Sequence, residues 1–329
     1  MSHSTHSTHS RKNIVLVATG GTIAGRAATS DELTHYTAGV LNADDLVAAV
    51  PELLDVAAIR TESPYQIDSK DITPDHWLQL ARRVNELLAA PSTDGIVITH
   101  GTDTIEETAW LLHLSCPASK PVVLTCAMRP ATAHSADGPL NLLHAVQVAA
   151  NGCTTGLGVV VVANGEIHGA RRVEKTDTCA LTAIQSRPFG PLGYAVPPQI
   201  VHRPEAHDAG LFDLRTTTCL PEIDLIAVPG GASTRALSAA IDARIRGLVL
   251  ALPGNGSLPM HWKSEVDRAL SEGVAVVRAT RTGQGLVTDA PEPAGALSAG
   301  RMPPAKARIA LMLALATDQL NEFKRLARS

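Results

Sequence analysis

Aromatic residues are scarce: Trp, Tyr and Phe make up 3% of the 329 residues, so a core has to be built from Ala, Val and Leu. Long apolar runs are also missing. The longest, Gly156 to Ala163 and Ile309 to Ala316, fall far short of the roughly 20 residues needed to cross a bilayer, which excludes integral membrane insertion. There is no basic block: 28 Lys and Arg stand against 32 Asp and Glu, for a net charge of −4. A phosphate-neutralising surface is therefore not expected, nor is a nucleic-acid partner. The five cysteines include no CxxC pair, so neither a disulfide framework nor a zinc ribbon is suggested, and buried free thiols are expected. The first 12 residues are hydrophilic and lack the apolar core and small-residue cleavage site of a secretory signal, which points to the cytoplasm. His3, His6 and His9 within them read as part of a disordered polar tail, with weak metal binding as the alternative.

What is present is a hydrophobic share of 45%, enough for a sizeable core, over a length that one core rarely serves. Asn13 to Ala18, Asp94 to Thr99, Pro121 to Leu124 and Leu157 to Ala163 are short apolar runs of the kind that fill a parallel sheet. Helical patterns lie between them. Thr73 reads as an N-cap with Pro74 at the first helical position, and helical spacing then continues to Pro91; Thr104 to Leu114 and Pro139 to Ala150 repeat the pattern. Strand and helix in alternation predict an α/β fold: a larger N-terminal, doubly wound, mostly parallel sheet over residues 13–205. From Arg187 the chain becomes proline-rich with little periodicity and reads as a connector, with a linker placed at 206–221. Residues 222–329 then form a smaller C-terminal α/β domain, with strands at Ile223 to Val228, Gly247 to Leu252 and Val274 to Arg278.

In a doubly wound sheet the ligand site lies beyond the carboxyl ends of the strands, which directs attention to the segments after Ala18 and Thr99. VATGGTIAG turns at Gly20 and Gly21 and presents the Thr22 hydroxyl on a backbone that nothing obstructs. It is no nucleotide loop, because Gly20, Gly21 and Gly25 do not give G-x-G-x-x-G and no P-loop lysine follows. ITHGTDTIEETAW sets Thr102 and Asp103 at a helix start, where helix dipole and free N–H groups stabilise negative charge. On spacing alone each turn has two readings: catalytic, or a plain turn and a helix cap. Two Gly-Thr turns on one sheet favour convergence on a common crevice.

These two segments resemble the signature segments of the bacterial L-asparaginase and glutaminase-asparaginase family. The similarity continues through THYTAG, IDSKDIT, KPVVLTCAMRP, SADGP, VEKTDT, GPLGY, GNGSL and VVRATRTGQG. The resemblance implies that Thr22 is the nucleophile and that Tyr36, on a mobile loop, assists proton movement. It makes Thr102, Asp103 and Lys175 a second constellation, in which a desolvated amine can act as base. Backbone N–H groups near Gly21 and Thr102 would form the oxyanion hole. It further implies that Ser69 takes the substrate carboxylate, Asp103 its amine and the Ala127 backbone its side-chain amide. Glu292 matches an acidic residue delivered by a neighbouring subunit, which makes the expected assembly a homotetramer with shared sites.

Lys70 departs from the pattern, since family members generally carry Gln or Glu there to hold the substrate amine. A cation beside a cation disfavours binding unless Lys70 turns outward or the substrate offers another anion. Ser257 falls where relatives vary between Asn and Ser, on the subunit-facing side of the site, and Cys116 has no evident partner for the disulfide of some secreted relatives. The reaction implied is hydrolysis of L-asparagine to L-aspartate and ammonia through an acyl-threonine, without metal or organic cofactor. Glutamine or a larger, modified amide are alternative substrates, and a non-catalytic amino-acid sensor is the reading from another class.

Overall fold

The computed structural model describes residues 11–204, 208–289 and 293–329. One sheet has eight strands, in the order Pro198–Ile200, Gly193–Ala195, Glu166–Gly169, Val159–Ala163, Val122–Thr125, Gly95–Thr99, Asn13–Ala18 and Ala58–Glu62. The last five of these run parallel and the first three add antiparallel neighbours at one edge. A second, parallel sheet orders Ile223–Ala227, Gly247–Leu252, Ala275–Thr280 and Leu297–Ser298. This is the large, mostly parallel α/β sheet followed by a smaller one that the strand and helix alternation predicts.

Alternation along the central strands divides the packing. Ile14, Leu16, Val97, Val123 and Val160 face one apolar cluster with the helix Gly138–Asn151. Val15, Val17, Ile96, Ile98 and Leu124 face the other, against the helices Pro74–Ala89 and Ile105–Ser115. That second cluster continues without a break into the smaller sheet through Val249 and Val277 and the helix Pro304–Ala316. Both faces of the large sheet are thus covered, as a parallel sheet requires.

The helix Pro74–Ala89 starts where expected: the Thr73 hydroxyl accepts from His76 N–H, and the His76 side chain accepts from Thr73 N–H in return. Two readings need correction. The proline-rich stretch after Arg187 is not a bare connector, because Gly193–Ala195 and Pro198–Ile200 pair with each other and extend the large sheet. Proline is tolerated there because Pro198 lies on the outermost strand, where a missing N–H costs no ladder bond. Nor are all the thiols buried: all five are free, but Cys179 and Cys219 are exposed, having landed in segments outside the helices and strands.

Candidate active site

Asn13–Ala18 and Gly95–Thr99 are adjacent parallel strands with Ala18 opposite Thr99, so the chain leaves both at one end of the sheet. The Thr19 hydroxyl and N–H both donate to Thr99 O and keep the two exits together. Beyond them the backbones touch. Gly21 has φ +79°, and a Cβ built on it would stand 2.3 Å from Gly101 N; a Cβ on Gly101 would stand 2.4 Å from Ser69 Oγ. No side chain fits at either contact, which accounts for the glycine in both turns. Gly21 N–H donates to Ile67 O (2.9 Å) and the Thr104 hydroxyl to Ser69 O (2.9 Å). Thr22, Ser69 and Thr102, all buried, are thereby drawn onto three abutting segments. Since the Gly21 N–H is committed to Ile67, donation from this turn to a ligand falls to the N–H of Thr22.

Two polar sets face this junction. Thr22 Oγ1 and Tyr36 Oη share a short hydrogen bond, 2.6 Å, in which either hydroxyl can donate. Tyr36 sits on a two-stranded ribbon, Arg26–Ala27 with Tyr36–Thr37, formed by the chain immediately after the turn. In the second set the Lys175 ammonium donates to Thr102 Oγ1 (2.9 Å) and Asp103 Oδ1 (2.5 Å). Because Thr102 Oγ1 accepts from lysine, its own proton is free for another acceptor. Lys175 N–H in turn donates to Glu106 Oε2 at 3.1 Å.

A buried chain of hydrogen bonds stands behind the second turn, unanticipated in the sequence. Trp77 Nε1–H donates to Thr108 Oγ1 (2.9 Å), which is 2.9 Å from His100 Nε2, while His100 Nδ1 lies 2.8 Å from Gly101 O. A carbonyl only accepts, so the neutral imidazole carries its hydrogen on Nδ1 and donates it to Gly101 O, and the Thr108 hydroxyl, which accepts from the indole, donates its hydrogen bond to Nε2. Burial holds His100 neutral by lowering its pKa to about 4. The carbonyl next to Thr102 is therefore fixed from inside. A histidine directly between a buried strand and the Gly-Thr turn was the only signal for it.

Ala127 is buried after Val122–Thr125, the strand next to Gly95–Thr99, and its turn is shaped by Asp137, whose carboxylate accepts from Met128 N–H and Arg129 N–H at 2.9 Å each. Lys70 turns to the outside: its ammonium donates to Asp68 (2.8 Å) and Asp71 (3.0 Å) and its side chain is 61% exposed. Ser257 is exposed on the turn after Gly247–Leu252. Buried Cys116 is bonded by the Asn85 amide at 3.3 Å. Glu292 and the three tail histidines lie outside the described residues. Among the described residues no three His, Cys, Asp or Glu side chains form a group that could hold a metal ion.

The family description "Asparaginase, N-terminal" matches residues 13–206, and "Glutaminase/Asparaginase C-terminal domain" matches residues 222–326. The chain is 42% identical over 311 residues to a probable periplasmic L-asparaginase of Haemophilus influenzae, covering 92% of this chain and 88% of that protein. Its identity to L-asparaginase 2 of Escherichia coli is 39% over 312 residues, with 92% and 88% covered. To a glutaminase-asparaginase of Pseudomonas fluorescens it is 38% over 320 residues, with 93% and 87% covered. The crystal structure of a probable cytoplasmic L-asparaginase from Campylobacter jejuni superposes with a TM-score of 0.91 at 37% identity, over 97% of this chain and 99% of that one. With two Gly-Thr turns locked backbone to backbone, a tyrosine on one hydroxyl and a lysine on the other, and this likeness along nearly its whole length, the chain belongs to the asparaginase family.

Proposed function

We propose that the protein is an amidohydrolase that converts L-asparagine to L-aspartate and ammonia, with Thr22 as nucleophile. The observation that carries this is the 2.6 Å bond between Thr22 Oγ1 and Tyr36 Oη at the mouth of a glycine turn. Thr22 Oγ1 attacks the side-chain amide carbon as its proton passes to Tyr36 Oη, whose own phenolic proton is handed on to the amide nitrogen. The carbonyl oxygen becomes an oxyanion facing the N–H groups of Thr22 and Thr102, where preorganised donors act most strongly. The C–N bond then breaks, the nitrogen leaves as ammonia with that proton, and an ester on Thr22 remains. Water cleaves that ester, releases aspartate and restores the hydroxyl. Lys175 holds Thr102 and Asp103 at fixed positions across the site, Ser69 receives the substrate carboxylate, Asp103 its ammonium, and the Ala127 backbone its amide nitrogen.

The active form is read as a homotetramer in which Glu292 completes a neighbouring site, and the chain as 13–205 and 222–329 joined by 206–221, in keeping with the spans of the two family descriptions. A cytoplasmic location accords with the five free thiols and with the likeness to a probable cytoplasmic L-asparaginase of Campylobacter jejuni. Glutamine is the second substrate to try, because a relative 38% identical is a glutaminase-asparaginase, and one methylene is worth only about 1–3 kcal/mol of discrimination. Ammonia release from asparagine, glutamine, their D-forms and N-substituted relatives tests the reading. Failure of L-asparagine to release ammonia would overturn it.

A further inference from the structure

Lys306 is the one lysine among the largest fully buried side chains, 1% exposed on the helix Pro304–Ala316. An interior ammonium needs acceptors, and it finds them outside its own helix: Nζ donates to Ala170 O (2.7 Å) and Val173 O (2.6 Å). The carboxylates of Glu106 and Glu174 add attraction, while Arg171 and Arg172 oppose it. Burial draws the ammonium down to about 8. Val173 immediately precedes the short strand Glu174–Lys175, and Glu106 is the residue whose carboxylate accepts from Lys175 N–H. The backbone that carries Lys175 is therefore gripped at two points. Lys306 holds Val173 O from the C-terminal part of the chain, and Glu106, compensated by the same ammonium, holds Lys175 N–H from the start of the helix Ile105–Ser115. Arg308, two residues along from Lys306, repeats the device on the next acid, reaching Glu107 at 3.4 Å and Ile223 O at 2.7 Å.

We propose that Lys306 is a positioning residue for the amide hydrolysis: through Val173 and Glu106 it fixes the strand that sets Lys175 against Thr102 and Asp103. This rests on the role given to Lys175 above. A side chain that only tied two parts of the fold together would, once removed, lower stability and leave turnover per folded molecule alone. A positioning side chain changes turnover, because displacing a catalytic group by about 1 Å can cost on the order of a hundredfold.

Lys306→Met keeps the length and removes the charge, and Glu106→Gln keeps the shape and weakens the acceptor. The expected result, per folded molecule of the full chain, is a kcat for L-asparagine lowered at least about tenfold in Lys306→Met and several-fold in Glu106→Gln, with KM within about twofold. The double variant should fall no further than Lys306→Met alone, since both act through one strand. Wild-type kcat in folded Lys306→Met overturns the proposal, as does a change confined to KM. If Lys306→Met does not fold, Glu106→Gln decides: reduced kcat at a wild-type melting temperature supports it, and wild-type kcat overturns it. Lys175→Met keeps the two readings apart. If Lys175→Met is inactive while Lys306→Met is fully active, only the positioning role fails; if Lys175→Met is fully active, the site reading fails with it.

Discussion

The side chain of Thr22 has one polar atom, and that atom meets one phenol. Thr22→Ala should therefore abolish ammonia release and leave the melting temperature nearly unchanged, which thermal unfolding and a contamination-free activity assay together will check; wild-type turnover would remove the nucleophile assignment. Tyr36→Phe deletes only the proton partner, so kcat should drop by about 10²-fold or more with substrate binding retained. At Lys70 the sequence left two arrangements open, an ammonium near the substrate amine or one turned outward. Asp68 and Asp71 hold it on the outside, at 2.8 and 3.0 Å. Lys70→Gln should accordingly leave KM for asparagine within about twofold, because a charge already paired and open to solvent acts weakly at a distance. The sequence pattern showed which hydroxyls and amines belong together. It was silent on Thr104 and Lys306, whose partners lie 35 and up to 136 residues away, and on His100, whose local partners Gly101 and Thr108 matter only because the ring is buried.

At the scale of turns and strands, the contact between Gly21 and Gly101 is the tightest constraint. Gly21→Ala adds a methyl at φ +79° whose carbon would lie 2.3 Å from Gly101 N. We expect it to lose activity as completely as Thr22→Ala but, unlike it, to lose about 2 kcal/mol or more of stability in a denaturant titration, since strain and overlap combine. Elements with a clean apolar period were legible: Asn13–Ala18 and Gly247–Leu252 lie where their buried runs place them. Ala58–Glu62 was not, because no residue of that edge strand is fully buried and it carries Arg60 and Glu62. The strands Gly193–Ala195 and Pro198–Ile200 were hidden by prolines, which edge positions accept and composition reads as loop.

At the scale of the whole molecule, acid should be the protein's weakness. His100 and His168 are both buried, and desolvation lowers each to about 4. Unfolded histidine binds a proton below about 6.5 while these do not, so their contribution to stability is full above 6.5 and is lost as pH falls toward 4. Each can cost on the order of 3 kcal/mol over that window. Unfolding free energy measured from pH 7 to 4 should fall steeply, and His100→Gln should flatten the slope relative to wild type. For the assembly, mixing inactive Thr22→Ala with inactive Glu292→Ala protein should restore part of the activity, because a hybrid pair regenerates an intact site. Full activity of Glu292→Ala alone would refute the shared site. The apolar cluster that runs from Val15 and Ile98 through Phe212 and Leu214 to Val277 and Leu311 has one more implication. The segments on either side of the stretch 208–221 are not interchangeable modules. Severed there, each piece would expose the face that the other covers, so two co-expressed fragments should be recovered as one reassembled enzyme, and either fragment made alone should aggregate.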